Sequence, residues 1–264
     1  MEPLRIGILT SRHVPGLRQL LEDPNRNVTW ELTIVVGSEP SLADLPLLEE
    51  ANIPIELRPI RQLSGFRNLK TRETYDDDTG ELLARGKVDY VLLVGYDYIV
   101  TEPLLARYRD RVLAIHDADL TQRENDRLYA GTHAVRDAIL AGEPEIRSSV
   151  YVVTRDVGRG PLLLLSAPYR LALMALDARE RGAVDFLDGY AALHREWMVS
   201  SAWGPMLRRT LEMLVAGSMK TVGDVVWVDG APGPCRMGEA PRDCFEPETM
   251  VARGIPRSCP FIGG

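Results

Sequence analysis

His116 ends a short apolar run, Val112-Leu113-Ala114-Ile115, and is followed at once by Asp117 and then Asp119. The run reads as a buried strand. An imidazole at a strand end, beside carboxylates, can move a proton or stabilise a developing oxyanion. A further carboxylate, Asp156, lies in the loop Arg155-Asp156-Val157-Gly158-Arg159-Gly160-Pro161, after a second apolar run from Ser148 to Val153. Open α/β sheets hold their ligands beyond the C-terminal ends of strands. His116, Asp117 and Asp156 are therefore the candidate catalytic residues. The plainer roles are a capping residue for Asp117 and a turn residue for Asp156.

The elements that must position these groups alternate along the chain. Leu4–Thr10, Trp30–Val36, Ile53–Leu57, Val88–Val94, Val112–Ile115, Ser148–Val153 and Leu162–Leu165 read as strands. Leu17–Leu21, Leu42–Ala51, Arg61–Arg85 (one helix or two pieces), Pro103–Tyr108 and Ala134–Leu140 read as helices. Such alternation predicts an α/β fold, a mostly parallel twisted sheet covered by helices on both faces. After Pro161, Ala172–Gly182 and Val184–Gly217 read as helical, the second broken near Gly204-Pro205. His194 falls on that segment and reads as a surface or helix-packing residue. Val225–Val228 with Asp229-Gly230 has a hairpin signal. The division expected is one α/β domain over 1–230 and an irregular Pro- and Gly-rich tail over 231–264.

Other stretches are chemically suggestive but have ordinary readings. Ser11-Arg12-His13-Val14-Pro15-Gly16 is a strand-to-helix turn whose N–H groups can face an anion, although it lacks a Gly-rich fingerprint. Gly95-Tyr96-Asp97-Tyr98-Ile99 follows a strand; Gly95 permits close backbone approach, and the tyrosines can flank a flat ligand or pack on the next helix. Asp76-Asp77-Asp78 reads as a solvated face. Cys235, Cys244 and Cys259 all lie in the tail, without paired zinc-ligand spacing. No metal is expected.

Bulk properties narrow the class. The chain has 264 residues, 45% hydrophobic, with net charge −7, enough for one large core. It shows no basic cluster of the kind nucleic-acid binders use, no apolar run long enough for a transmembrane helix, and no signal peptide. A cytoplasmic location is expected, with no nucleic-acid or membrane partner.

With these residues in view, the chain resembles the folate-dependent formyltransferases. The resemblance rests on Val91–Tyr96, Ile99, Val112–His116, Gly131–Glu143 and Ser149–Pro161, and extends over Tyr190–Gly217. It is nearest to the phosphoribosylglycinamide formyltransferase branch of purine synthesis. The resemblance implies a Rossmann-type sheet, formyl-tetrahydrofolate as cofactor and a small-molecule amine as acceptor; a homodimer is one possible oligomer, and the sequence does not set the oligomeric state. It also implies a cofactor-binding set, Gly95, Tyr96, Tyr98, Ile99, Val157 and Gly158, and a substrate-binding set, Ser11, Arg12, His13, Gly16 and His133. The family pattern has Asn-x-His at the strand end and an Asp two residues before Gly-Pro. Here those positions are Ala114-x-His116 and Gly158, the residue after the His is Asp117 in place of Pro, and about six residues are inserted before Gly131. Three readings follow: formyl transfer to an amine other than glycinamide ribonucleotide, binding of a folate, nucleotide or protein without turnover, or new chemistry such as hydrolysis.

Overall fold

Eight strands form one sheet in the computed structural model, which describes residues 2–124 and 127–238, with no side-chain account of 123, 124, 127 and 128. They are β1 (Leu4–Thr10), β2 (Trp30–Gly37), β3 (Ile55–Leu57), β4 (Tyr90–Leu93), β5 (Val112–His116), β6 (Ser149–Val152), β7 (Leu162–Leu165) and β8 (Cys235–Arg236). Their spatial order is β8-β7-β6-β5-β4-β1-β2-β3. β1 to β5 run parallel. β6 is antiparallel to β5, β7 antiparallel to β6, and β8 parallel to β7. The fold is the mostly parallel α/β sheet that the alternation predicts.

Seven helices cover the sheet: α1 (Leu17–Leu21), α2 (Leu45–Glu50), α3 (Leu69–Arg85), α4 (Glu102–Arg107), α5 (Ala134–Ala141), α6 (Leu173–Glu180) and α7 (Val184–Val215). Strand residues alternate between two apolar layers. Ile6, Ile8, Leu92, Leu113 and Ile115 pack with α1, α5 and α7, whereas Leu9, Val91, Leu93, Val112 and Ala114 pack with α3 and α4. Burial on both faces explains why these central strands are near-continuous apolar runs.

The structure departs from the sequence expectations in four places. α7 is one helix of 32 residues that runs through Gly204-Pro205 without a break. Tertiary contact explains the glycine. A Cβ on Gly16 would lie 2.8 Å from the Gly204 backbone, so the turn before α1 packs directly onto α7. Asp76 is not solvated. It is fully buried within α3, and its Oδ2 accepts from the Thr101 N–H (2.6 Å) and hydroxyl (2.7 Å), which begin α4. Burial raises its carboxyl above the ordinary value, against the opposing pull of those hydrogen bonds. Asp77 and Asp78 are exposed, as a charged face requires.

Met219–Val222 is a strand that periodicity does not reveal; it pairs with Val225–Val228, which also pairs with Ala231–Pro232. Finally, β8 lies past Ala231, where the irregular tail was expected, and joins the main sheet through Leu164 and Leu165. Cys235 is on it, while Cys244 and Cys259 lie outside the described residues.

Candidate active site

Two cavities open at the C-terminal edge of the sheet, beside each other. One, of about 400 Å³, lies over the ends of β4 and β5 and is lined by Gly95–Val100, Ala114–Asp117, Ala130–Thr132 and Val157. The other, of about 480 Å³, lies over the turn after β1 and is lined by Arg12–Gln19 and by Asp44. Gly95, Asp97, Arg195 and Trp203 belong to both walls. Small-molecule sites commonly span roughly 300–1,000 Å³.

His116 lines the first cavity. The strand carries it there in register with Ser149 of β6. Its Nε2 lies 3.1 Å from the carbonyl oxygen of Tyr129, and its Nδ1 lies 3.4 Å from Asp117 Oδ1. The Tyr129 carbonyl can only accept, so the Nε2 contact is a hydrogen bond in the tautomer that carries its proton there. Asp117 is almost fully buried, and its other oxygen accepts from Arg195 Nε on α7. Arg195, Asp117 and His116 thus form a connected row from α7 to the strand end.

The rest of the support is buried. Ser149 Oγ donates to the Ala118 carbonyl and accepts from the Leu120 N–H. Asp119 Oδ1 accepts from the Thr121 N–H, and its Oδ2 lies 3.6 Å from Arg147. Trp203 Nε1 donates to Ser148 Oγ at 3.0 Å, which fixes the indole as a shared floor.

The expected site residues divide cleanly by place. His116 and Asp117 line the first cavity, as do Gly95, Tyr96, Tyr98, Ile99 and Val157. Arg12, His13 and Gly16 line the second. Four residues lie elsewhere. Asp156 is exposed in a turn, where its carbonyl accepts from the Thr154 hydroxyl and the Arg159 N–H. Gly158 is turned inward against Ala130 at the far side of that loop. Ser11 is buried behind the turn, bonded to Ser38 Oγ and to the Asp97 N–H. His133 is exposed at the start of α5 and makes no side-chain cap.

The tyrosines do not enclose a ligand between them. Their ring centroids are 5.8 Å apart, edge to face, a direct aromatic contact with no space for a third ring. The Tyr98 hydroxyl donates to Glu39 and accepts from Arg61, outside the cavity. Burial pushes the Tyr96 phenol well above its ordinary value, so it stays neutral. Ile99 and Val157, 59% and 47% exposed, offer apolar surface from the two facing loops.

Asp44, Asp97, Arg195 and Trp203 were not among the residues the sequence singled out for the site. Arg195 and Asp97 sit inside stretches that drew attention for other residues, His194-Arg195-Glu196 and the two tyrosines. Asp44 carries no local signal.

A strand-end histidine thus lies beside paired cavities at the edge of a mostly parallel sheet, where open α/β sheets hold their ligands. Residues 4–173 match the Formyl transferase family, and the chain belongs to that family. The chain is 24% identical over 166 residues to the trifunctional purine biosynthetic protein adenosine-3 of Drosophila melanogaster, 62% of this chain but only 11% of that protein's length. It is 25% identical over 161 residues to the formyltetrahydrofolate deformylase of Escherichia coli, covering 61% of this chain and 52% of the relative. Among solved structures it resembles a phosphoribosylglycinamide formyltransferase from Coxiella burnetii, with TM-score 0.67 and 20% identity over 89% of this chain and all of the other.

Proposed function

We propose that this protein transfers a formyl group from formyl-tetrahydrofolate to a small amine other than glycinamide ribonucleotide. The observation that carries the reading is the pair of adjoining cavities with Gly95, Asp97, Arg195 and Trp203 in both walls and His116 in the wall of one. A transfer between two small molecules needs two such sites that meet.

The folate fits the first cavity on this chain's own residues. The loop at Gly95 offers backbone groups, since Gly95 has φ 65°, and a Cβ there would lie 2.8 Å from the His13 carbonyl oxygen. Ile99 and Val157 supply apolar faces from opposite loops. When bound, the donor supplies an activated formyl carbon. In the reaction the amine nitrogen bonds to that carbon, the carbon's bond to the folate nitrogen breaks, and one proton passes from the amine to the folate nitrogen. The His116 ring lies at the strand end, where an imidazole can stabilise the oxyanion or relay that proton. Asp117 holds the ring and Arg195 together. The Arg195 guanidinium brings positive charge to both walls, and Ala114, at the pattern's Asn position, offers no side-chain donor.

A second reading, binding without turnover, draws on Ala114 and Gly158, which offer no side-chain donor or carboxylate at the two pattern positions. One experiment separates them. A folate analogue titrated calorimetrically should bind well below about 1 mM, and formyl-tetrahydrofolate with a panel of amines should yield tetrahydrofolate. His116→Ala should lower that turnover by about 10²- to 10⁴-fold while folate binding remains. Binding without turnover selects the second reading, release without any amine assigns hydrolysis, and no folate binding at about 1 mM removes the proposal.

A further inference from the structure

In the second cavity a backbone donor of the strand-to-helix turn, of the kind that can face an anion, is already taken by a carboxylate. The Val14 N–H, central to the turn after β1, donates to Asp44 Oδ2 at 2.5 Å. Asp44 begins α2 yet makes no capping hydrogen bond to that helix; its carboxylate serves the turn. The turn is also tied down by Ala43, whose N–H donates to the Arg12 carbonyl at 2.8 Å, and by the Thr10 hydroxyl, which donates to the His13 carbonyl at 2.5 Å.

The charges around it are balanced. Arg12, Arg18 and Arg195 face the cavity, as do Asp44, Asp97 and Glu196. Each arginine has an acid of its own: Arg12 has Asp97 at 3.6 Å, Arg18 has Glu22 at 3.9 Å, and Arg195 has Asp117. The first two pairs are exposed and weak, so they alone would not keep out an anion. Asp44 would. A phosphate monoester carries nearly two negative charges near neutral pH, and here it would meet a carboxylate on the backbone donor it needs. α1, at five residues, begins on Gly16 in the left-handed region and adds no long dipole to offset this.

We propose that this cavity takes an amine that carries no phosphate, neutral or cationic overall, and that Asp44 is the residue that sets this specificity. Asp97, in both walls, and Glu196, in this cavity's wall, suit the ammonium and hydroxyl donors of such a molecule. The inference rests on the formyl-transfer reading for the identity of the reacting group, an amine that gains the formyl carbon and loses one proton. The charge argument for Asp44 does not depend on turnover.

Inorganic phosphate titrated calorimetrically into the full chain is the direct test. The parent should show no saturable site below about 10 mM, and Asp44→Asn should gain phosphate affinity by about tenfold or more. With formyl-tetrahydrofolate as donor, glycinamide ribonucleotide should be no better an acceptor than its phosphate-free nucleoside. Phosphate binding by the parent below about 1 mM, a nucleotide preference of about tenfold or more, or no gain in Asp44→Asn would overturn the assignment. The folate titration, in which phosphate has no part, reports separately on the formyl-transfer reading.

Discussion

At the scale of single residues, the site is a chain of dependencies that starts outside it. Asp117 is buried between the Arg195 guanidinium and the His116 ring. A buried carboxylate that loses one of them keeps its desolvation cost without the compensating attraction. Arg195→Ala should therefore lower stability by about 1–3 kcal/mol and reduce formyl transfer, with urea unfolding and initial rates as the measurements. Asp117→Asn keeps the shape but removes the charge that holds both partners, and transfer should fall by about 10- to 100-fold with folate affinity little changed. A variant with parental kcat would detach Asp117 from the chemistry. Much of this set was legible in the chain, because His116 and Asp117 directly follow a strand that burial makes obvious. Arg195 was not, because nothing in a helical segment says which of its polar residues will reach a strand end.

At the scale of elements, the contact between the turn before α1 and the middle of α7 holds the second cavity together. Two glycines meet there with unequal tolerance. Gly16 has φ 83°, and a Cβ would strike the Gly204 backbone at 2.8 Å. Gly204 is helical, and its Cβ would meet the flexible Gln19 side chain at 2.8–3.0 Å. Gly16→Ala should cost about 2 kcal/mol or more, from the left-handed backbone and the collision together. Gly204→Ala should cost less than Gly16→Ala, since the gain in helix propensity of about 1 kcal/mol partly offsets the displacement of Gln19, whose Cβ and Cγ lie at 3.0 Å. Equal unfolding midpoints for the two variants would contradict this account of the contact. The same contact explains why Gly204-Pro205, a break by local rules, lies inside a continuous helix. Packing on both sides of the helix outweighs the one backbone hydrogen bond that proline removes.

At the scale of the whole molecule, α7 is the spine. It carries Trp197 and Trp203 into the core, Arg195 into the site and His194 into the layer beneath it. His194 is fully buried beside Tyr190 and Trp197, and desolvation drives its imidazole down to about 4 from the ordinary 6.5, against a hydrogen bond with the Tyr169 backbone. The folded protein holds His194 neutral, whereas the unfolded chain takes up a proton at the ordinary value. Stability is therefore retained above pH 6.5 and falls as pH drops from there toward 4, by at most about 3 kcal/mol. His194→Gln should flatten that fall in denaturant titrations run between pH 7 and pH 4. A variant with the parent's slope would place the acid sensitivity elsewhere.

The sequence by itself determined the layered α/β architecture and the strand that ends at His116. These follow from local periodicity: a strand buried on both faces must be apolar along its length, and the residue just past it must lie at the sheet edge. Only the tertiary structure decided which charges meet. Arg195 and Asp117 are 78 residues apart, Asp44 and Val14 are 30 apart, and Asp76 reaches Thr101 across 25. No local pattern sets such pairs, because each joins elements that only the packing of helices on the sheet brings together. The same packing turns Asp156 out to solvent and closes Asp44 over the Val14 N–H.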